Sequence, residues 1–374
     1  MKPPTLSYLS DVWFEPGAAA LTPGVLERLG VRRPLVVTDA GVLGAGLVDR
    51  LGLRPAAVFD AVETNPSEAA VLGALEVYRE NGCDGVVGVG GGSPLDCAKC
   101  VALLATHPPP LRQYAIVEGG SGKITADKPP VVAVPTTAGT GSEVGRGALV
   151  TFTGGAKLAV ISPRLIPESA VCDPELTIGL PAWLTAATGV DALSHCVETF
   201  CSPKFNPVAE AIALDGLGRA WRNLRRAVEE PSDLSARAEM MTAALEGGLT
   251  FQKGLGAVHS LSHPLGGLPG HRLHHGTLNG VFLPHVLRFN YDACPGKMRR
   301  IAEVIGLGGG ADALPGAFAD LLREIGLPTR LRDMGVTLPE VESVKQAVLR
   351  DHCNATNPRP LRPEDAEALL RAAY

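Results

Sequence analysis

Two polar pairs interrupt apolar stretches in the second half of the chain: Asp191 with His195 in GVDALSHCVE, and His259 with His263 in GAVHSLSHPLG. A third cluster, His274 and His275, follows in RLHHG. Residues four apart share a helix face, so each pair can aim two side chains at one point. Imidazole nitrogens and a carboxylate suit Zn(II) or Fe(II). A lone histidine is more often a hydrogen-bonded core or surface residue. These histidines cluster beside glycine, small or apolar neighbours, which favours a divalent metal site, although HxxxH and DxxxH are less specific than paired CxxC motifs.

The elements that must position them change character along the chain. From residue 30 to about 180, short β-branched runs (PLVVTD, AAVFD, DGVVGV, PPVVAV) alternate with helical ones, predicting a parallel α/β sheet covered on both faces. Beyond about residue 182, long amphipathic segments such as PAWLTAATGVDALSHCVETF and PVAEAIALDGLGRAWRNLRRAVEE predict an all-helical region. The expected division is an α/β domain over 1–180 and an all-α domain over 181–374.

Composition narrows the function classes. The 374 residues, 45% hydrophobic and 20% charged, suit a globular enzyme of two domains. A net charge of −5 and a pI near 6.0 supply no basic field for nucleic acid. No signal-peptide core or membrane-spanning run is visible, so no membrane partner is expected. Eight scattered cysteines fit reduced thiols in a cytoplasm. Cys97 and Cys100 form a single CxxC inside a helical run, where buried packing is the expected role.

Two loops carry the nucleotide reading. Gly90 to Ser93 follow the strand DGVVGV and open a helix, where bare N–H groups and the helix dipole can receive a phosphate. The pattern is not GxGxxG, and a glycine turn also occurs for local reasons. PTTAGTGSE (135–143) ends the strand VVAV and should lie on the same sheet edge. Asp39, ending PLVVTD, can bond a ribose 2′-hydroxyl and repel a 2′-phosphate, favouring NAD over NADP; its alternative role is capping the next helix.

Taken in order, GGGSPLDCAK, PTTAGTGSEV, GVDALSH and GLGAVHSLSHPLG followed by LHHG resemble the iron-containing (group III) alcohol dehydrogenases along nearly the whole chain. The resemblance implies that 1–180 is a Rossmann-like dinucleotide-binding domain and 181–374 an all-α metal-binding, catalytic domain, with metal ligands Asp191, His195, His259 and His275, Fe(II) as the metal and Zn(II) as an alternative. It implies that His263 relays protons, that NAD meets Asp39, Asn65, Gly91, Gly92, Ser93, Thr136, Thr137 and Lys157, and that Asp96 and Lys99 orient the glycine loop. Three neutral imidazoles and one carboxylate leave a +1 site that keeps Lewis acidity. The expected reaction interconverts a small alcohol and its aldehyde, with hydride passing to or from nicotinamide C4.

Within the family, GGSGKITADKPPVVAVPTTAGTGSEVGRGALV and DHCNATNPR look most like the 4-hydroxybutyrate dehydrogenase branch, pointing to a short ω-hydroxy acid and its semialdehyde. Arg146, where better-known members carry a small or neutral residue, can clamp a carboxylate. Lys253 can add charge, and Cys353 matches a pocket-lining position; the alternatives are an ion pair for either cation and inert packing for the thiol. The 1,3-propanediol-type dehydrogenases and maleylacetate reductases are the neighbouring readings, although the latter generally depart from the ligand pattern retained here. Dehydroquinate synthase-like or glycerol-1-phosphate dehydrogenase-like zinc enzymes would require a phosphate-binding array that this chain shows only weakly. A metallohydrolase lacking a nucleotide is opposed by both glycine loops. A homodimer or larger homo-oligomer is expected, with LSYLSDVWF as a strand that can pair across an interface.

Overall fold

The computed structural model describes residue 8 and residues 10–374. They divide into two compact units, one within Ser7–Gly179 and one within Leu180–Tyr374.

The first unit holds a six-stranded parallel sheet of β1 (Asp11–Phe14), β2 (Pro34–Val37), β3 (Ala57–Phe59), β4 (Gly85–Gly90), β5 (Val131–Pro135) and β8 (Ser169–Cys172). The order is β1-β8-β5-β4-β2-β3, and the chain reverses its direction of travel between β2 and β4. Both faces are covered, as the continuous apolar runs require. Leu35, Val37, Val86 and Val131 pack with helices α3 (Glu68–Glu80) and α4 (Gly92–Thr106), while Val36, Val87, Val132 and Val134 pack with α1 (Thr22–Arg28). Ser67 starts α3 by accepting from the Ala70 N–H, whereas α4 starts at Gly91 without any side-chain cap.

The fourth helix of this unit, α2 (Ala40–Gly44), is much shorter than GVLGAGLVDRLG suggests, because its glycines favour turns over a continued helix. An antiparallel hairpin of β6 (Gly147–Thr151) and β7 (Lys157–Ile161) follows β5, outside the six-stranded sheet. Its turn uses Gly154 and Gly155, both at positive φ. Of the N-terminal strand expected over LSYLSDVWF, Asp11–Phe14 form the edge strand β1, paired with β8; Leu6, Ser7 and Leu9 lie outside the described residues.

The second unit is helical: α5 (Ala182–Cys201), α6 (Pro207–Glu229), α7 (Leu234–Leu249), α8 (Ala257–Gly266), α9 (His275–Asn290), α10 (Pro295–Val304), α11 (Leu314–Glu324), α12 (Leu338–Ser343), α13 (Lys345–Arg350) and α14 (Pro363–Ala372). Helix α5 is buried over nearly its whole length, from Thr185 to Cys201, so polar groups on it need internal partners. No helix among the described residues is long and apolar enough to cross a membrane.

Candidate active site

Helix α5 presents Asp191, His195 and Glu198 at intervals of four and three residues, on one face. Helix α8 presents His259 and His263, and α9 opens with His275 followed one turn later by Asn279. Ligand-type atoms of Asp191, His195 and His259 all lie within 4.8 Å of one another. From Asp191 Oδ1, the Nε2 atoms of His195, His275 and His259 stand at 3.4, 3.8 and 3.9 Å. Ligands bonded tetrahedrally at about 2.1 Å are separated by about 3.4 Å, so the group of Asp191, His195 and His259 suits a divalent cation, and His275 joins it through its approach to Asp191.

The chemistry of the donor set fits as well. The Asn279 amide nitrogen lies 2.7 Å from Asp191 Oδ1, 3.1 Å from His259 Nε2 and 3.2 Å from His275 Nε2. Its two hydrogens thus face one carboxylate oxygen and two ring nitrogens, three atoms that converge as cation ligands would. Burial, followed by the nearby His195 and His263, holds the His259 imidazole well below its usual value, which keeps it neutral. Close packing shapes this corner: a Cβ on Gly276 would collide with the Ala187 carbonyl oxygen of α5 and lie 3.1 Å from the Asp191 Cβ.

Two carboxylates absent from the sequence reading support the α8 imidazoles. Glu198 Oε2 faces His259 Nδ1 at 2.6 Å, and Asp351 Oδ2 faces His263 Nδ1 at 2.9 Å. Burial raises the Glu198 carboxyl to about 7, against the lowering effect of the Val258 N–H. Asp351 is pushed up by burial, yet His263 outweighs that and holds it well below the carboxylate range. The His263 ring stacks on His275 and on His352, with centroids 5.3 and 5.9 Å apart, and the His352 side chain is 26% exposed. Glu198 was legible as the residue three after His195 on the same face; Asp351, 88 residues from His263, carried no local signal.

In the first unit, the two glycine loops meet at the C-terminal ends of the adjacent strands β4 and β5, and the Thr136 N–H donates to Gly90 O. A Cβ on Gly91 would lie 3.3 Å from Thr137 Oγ1, and one on Gly92 only 2.7 Å from Thr140 Oγ1. The uncapped N-terminus of α4 therefore opens onto bare backbone. Asn65, at φ 59, donates its N–H to Ser93 Oγ and accepts from Lys157 Nζ, joining three of the expected nucleotide contacts. Asp39 caps α2 by accepting from Val42 N–H, so the helix-capping role is realised through one carboxylate oxygen.

Lys99 is wholly buried and donates to Ser142 Oγ and to the carbonyls of Gly145 and Gly147, while Asp96 accepts from Ser142 Oγ and Leu149 N–H. The two side chains tie the second glycine loop to α4. Arg146 is partly buried, and no described carboxylate pairs with it. Burial lowers its guanidinium from the ordinary value, with Tyr8 acting in opposition. Lys253 is buried and instead donates to Glu210 at 2.5 Å, a partly exposed carboxylate that also accepts from Lys297. Cys97 and Cys100 are fully buried packing residues, and Cys353 is buried with its thiol raised by burial.

The chain matches the family model described as iron-containing alcohol dehydrogenase over residues 10–174, and the C-terminal model of the Fe-containing alcohol dehydrogenase family over 185–374. It belongs to the iron-containing alcohol dehydrogenases, oxidoreductases that act on CH–OH groups. It is 52% identical to 4-hydroxybutyrate dehydrogenase of Cupriavidus necator, over 97% of this chain and 98% of the relative. The crystal structure of a 1,3-propanediol oxidoreductase superposes with a TM-score of 0.93 at 40% identity, covering 99% of this chain and 100% of that one. Sulfoacetaldehyde reductase from Bifidobacterium kashiwanohense, solved in complex with NAD+, gives a TM-score of 0.88 at 30% identity over 99% and 98%.

Proposed function

We propose that this protein is an Fe(II)- and NAD-dependent dehydrogenase that interconverts a short ω-hydroxy acid, best represented by 4-hydroxybutyrate, and its semialdehyde. The convergence of Asp191, His195, His259 and His275 donors carries the metal-dependent reading. Asp191, His195, His259 and His275 would hold a cation whose Lewis acidity would polarise the substrate oxygen and lower the alcohol pKa. Asp191 supplies the one negative ligand and the three neutral imidazoles leave net positive charge. Zn(II) is compatible with the same ligands.

NAD is assigned to the switch point of the sheet, with its pyrophosphate on Gly91, Gly92 and Ser93, further contacts from Thr136, Thr137, Asn65 and Lys157, and the ribose on the second Asp39 oxygen. The NAD+ complex of the sulfoacetaldehyde reductase supports NAD as the dinucleotide. His263 carries the alcohol proton away, backed by Asp351 and stacked on the partly exposed His352. The overall exchange balances: the alcohol loses a hydride to NAD+ and a proton to His263.

The acidic substrate rests on Arg146, a half-buried cation with no carboxylate among the described residues to neutralise it. The 52% identity to a 4-hydroxybutyrate dehydrogenase points the same way. The 0.93 TM-score to a 1,3-propanediol oxidoreductase favours a neutral diol as the second reading. The proposal extends to a cytoplasmic homodimer or larger assembly, supported by free thiols at all eight cysteines and by the edge strand β1.

The test is Fe(II)-reconstituted enzyme assayed anaerobically for NADH with 4-hydroxybutyrate, 1,3-propanediol, ethanol and maleylacetate. The hydroxy acid should give the highest kcat/KM. Arg146→Gln should lower that value about 10²-fold while moving the diol by less than about threefold. Equal losses on both substrates would remove the clamp, and absence of NADH chemistry with every substrate would sink the dehydrogenase reading.

A further inference from the structure

The N-terminus of α8 is built in an unusual way. Its N-cap residue is Gly256, which offers no side-chain cap. The open N–H groups are taken by distant residues instead: Ala257 donates to Asn357 Oδ1 at 3.0 Å, and Val258 donates to Glu198 Oε1 at 2.6 Å. Only glycine fits at 256, since a Cβ there would lie 2.9 Å from Glu198 Oε1 and 2.7 Å from Asn357 Oδ1. Glu198 is 4% exposed, so both of its oxygens must be satisfied from within. Its second oxygen meets His259 Nδ1 at 2.6 Å.

A neutral imidazole carries one hydrogen, and the contacts decide where it sits. Asn279 approaches His259 Nε2 with its amide nitrogen, a donor, at 3.1 Å. Turning that amide over would set its oxygen 2.7 Å from the Asp191 carboxylate, so the donor orientation is fixed. His259 Nε2 therefore presents a lone pair, and Nδ1 holds the hydrogen that Glu198 accepts.

We infer that Glu198 is a positioning residue: by capping α8 and accepting from His259 Nδ1, it locks both the place of this helix and the tautomer that aims the Nε2 lone pair at the cation. The inference rests on the metal-site reading proposed above. The general physics is a carboxylate behind an imidazole ligand, which sets ring orientation and raises ligand basicity. Asp351 stands behind His263 in the same manner, so α8 carries two oriented imidazoles.

Glu198→Gln tests the lock, because the amide is isosteric and its oxygen still accepts from Val258. Its NH2 group then faces His259 Nδ1 and demands a lone pair there, which moves the ring hydrogen to Nε2. Titration of metal-free protein with Co(II), followed by visible absorption, should give a Kd about 10- to 100-fold weaker than wild type. Nitrogen NMR of the metal-free protein should report the Nδ1–H form in wild type and the Nε2–H form in the variant. Glu198→Asp, which keeps the charge and withdraws it, should bind Co(II) with intermediate affinity.

Wild-type Co(II) affinity in either variant, or an unchanged His259 tautomer in E198Q, would overturn the role of Glu198. Failure of the underlying metal reading looks different. In that case His259→Ala and Asp191→Ala would bind Co(II) as wild type does.

Discussion

The two units build their halves of the chemistry from opposite materials. In the sheet unit the proposed working surface is backbone: glycines at 91 and 92 press against Thr137 and Thr140, and α4 begins without a side-chain cap. In the helical unit the proposed working surface is made of side chains, Asp191, His195 and His259 in one cluster and His275 beside Asp191. A backbone site is defined by what is left out, and a side-chain site by spacing along a helix. Added atoms should therefore injure each unit at a different function, and the two injuries should separate.

The largest effect is expected from Gly276→Ala. Its new methyl meets the Ala187 carbonyl, so α9 must move away from α5 and take His275 with it. A destabilisation of about 3 kcal/mol is expected by thermal melting, with bound iron falling at least about tenfold by elemental analysis. NADH binding, read by fluorescence quenching, should survive; joint loss of both would break the contrast between the units.

Gly92→Ala is the mirror experiment. The Cβ would approach Thr140 Oγ1 to 2.7 Å and push the loop away from the phosphate position. NADH affinity should fall about tenfold with metal content unchanged. Retained NADH affinity would move the nucleotide away from this loop.

The smallest effect probes the helical unit away from its ligands. Burial, reinforced by Asp215, raises the Glu246 carboxyl on α7 to about 8. The folded form thus favours the protonated acid, while the unfolded chain ionises near 4.5. Stability is lost as pH climbs from 4.5 to about 8, and the loss is complete above that window. Glu246→Gln, which cannot ionise, should be more stable than wild type by about 1–2 kcal/mol above pH 8, with the advantage shrinking toward pH 4.5. An equal offset at both ends would assign the gain to packing.

What the sequence disclosed follows the same division of materials. Asp191/His195 and His259/His263 were readable because a helix converts a spacing of four into a shared face. The parallel strands were readable where β-branched runs lay between glycine turns, as in β4 and β5. The β6–β7 hairpin, GALVT and KLAVI flanking Gly154–Gly155, is a two-stranded excursion that does not fit an alternating strand and helix pattern. Strand β8 reads SAVC, with a single β-branched residue, and lacks the apolar run that marks β2 and β4. Contacts made across long separations left no local trace: Glu210 neutralises Lys253 from 43 residues away, and Asp351 reaches His263 across 88.

Lys99 gives the first unit a further property. Its side-chain nitrogen holds Ser142, Gly145 and Gly147, so the second glycine loop is fastened to the helix whose first turn contains Ser93. The two loops then have few independent conformations to surrender when a dinucleotide arrives. The entropic cost of ordering them has been met during folding, by a charge sealed inside the protein. Preorganisation of this kind lets a surface with almost no side chains of its own still hold a fixed shape.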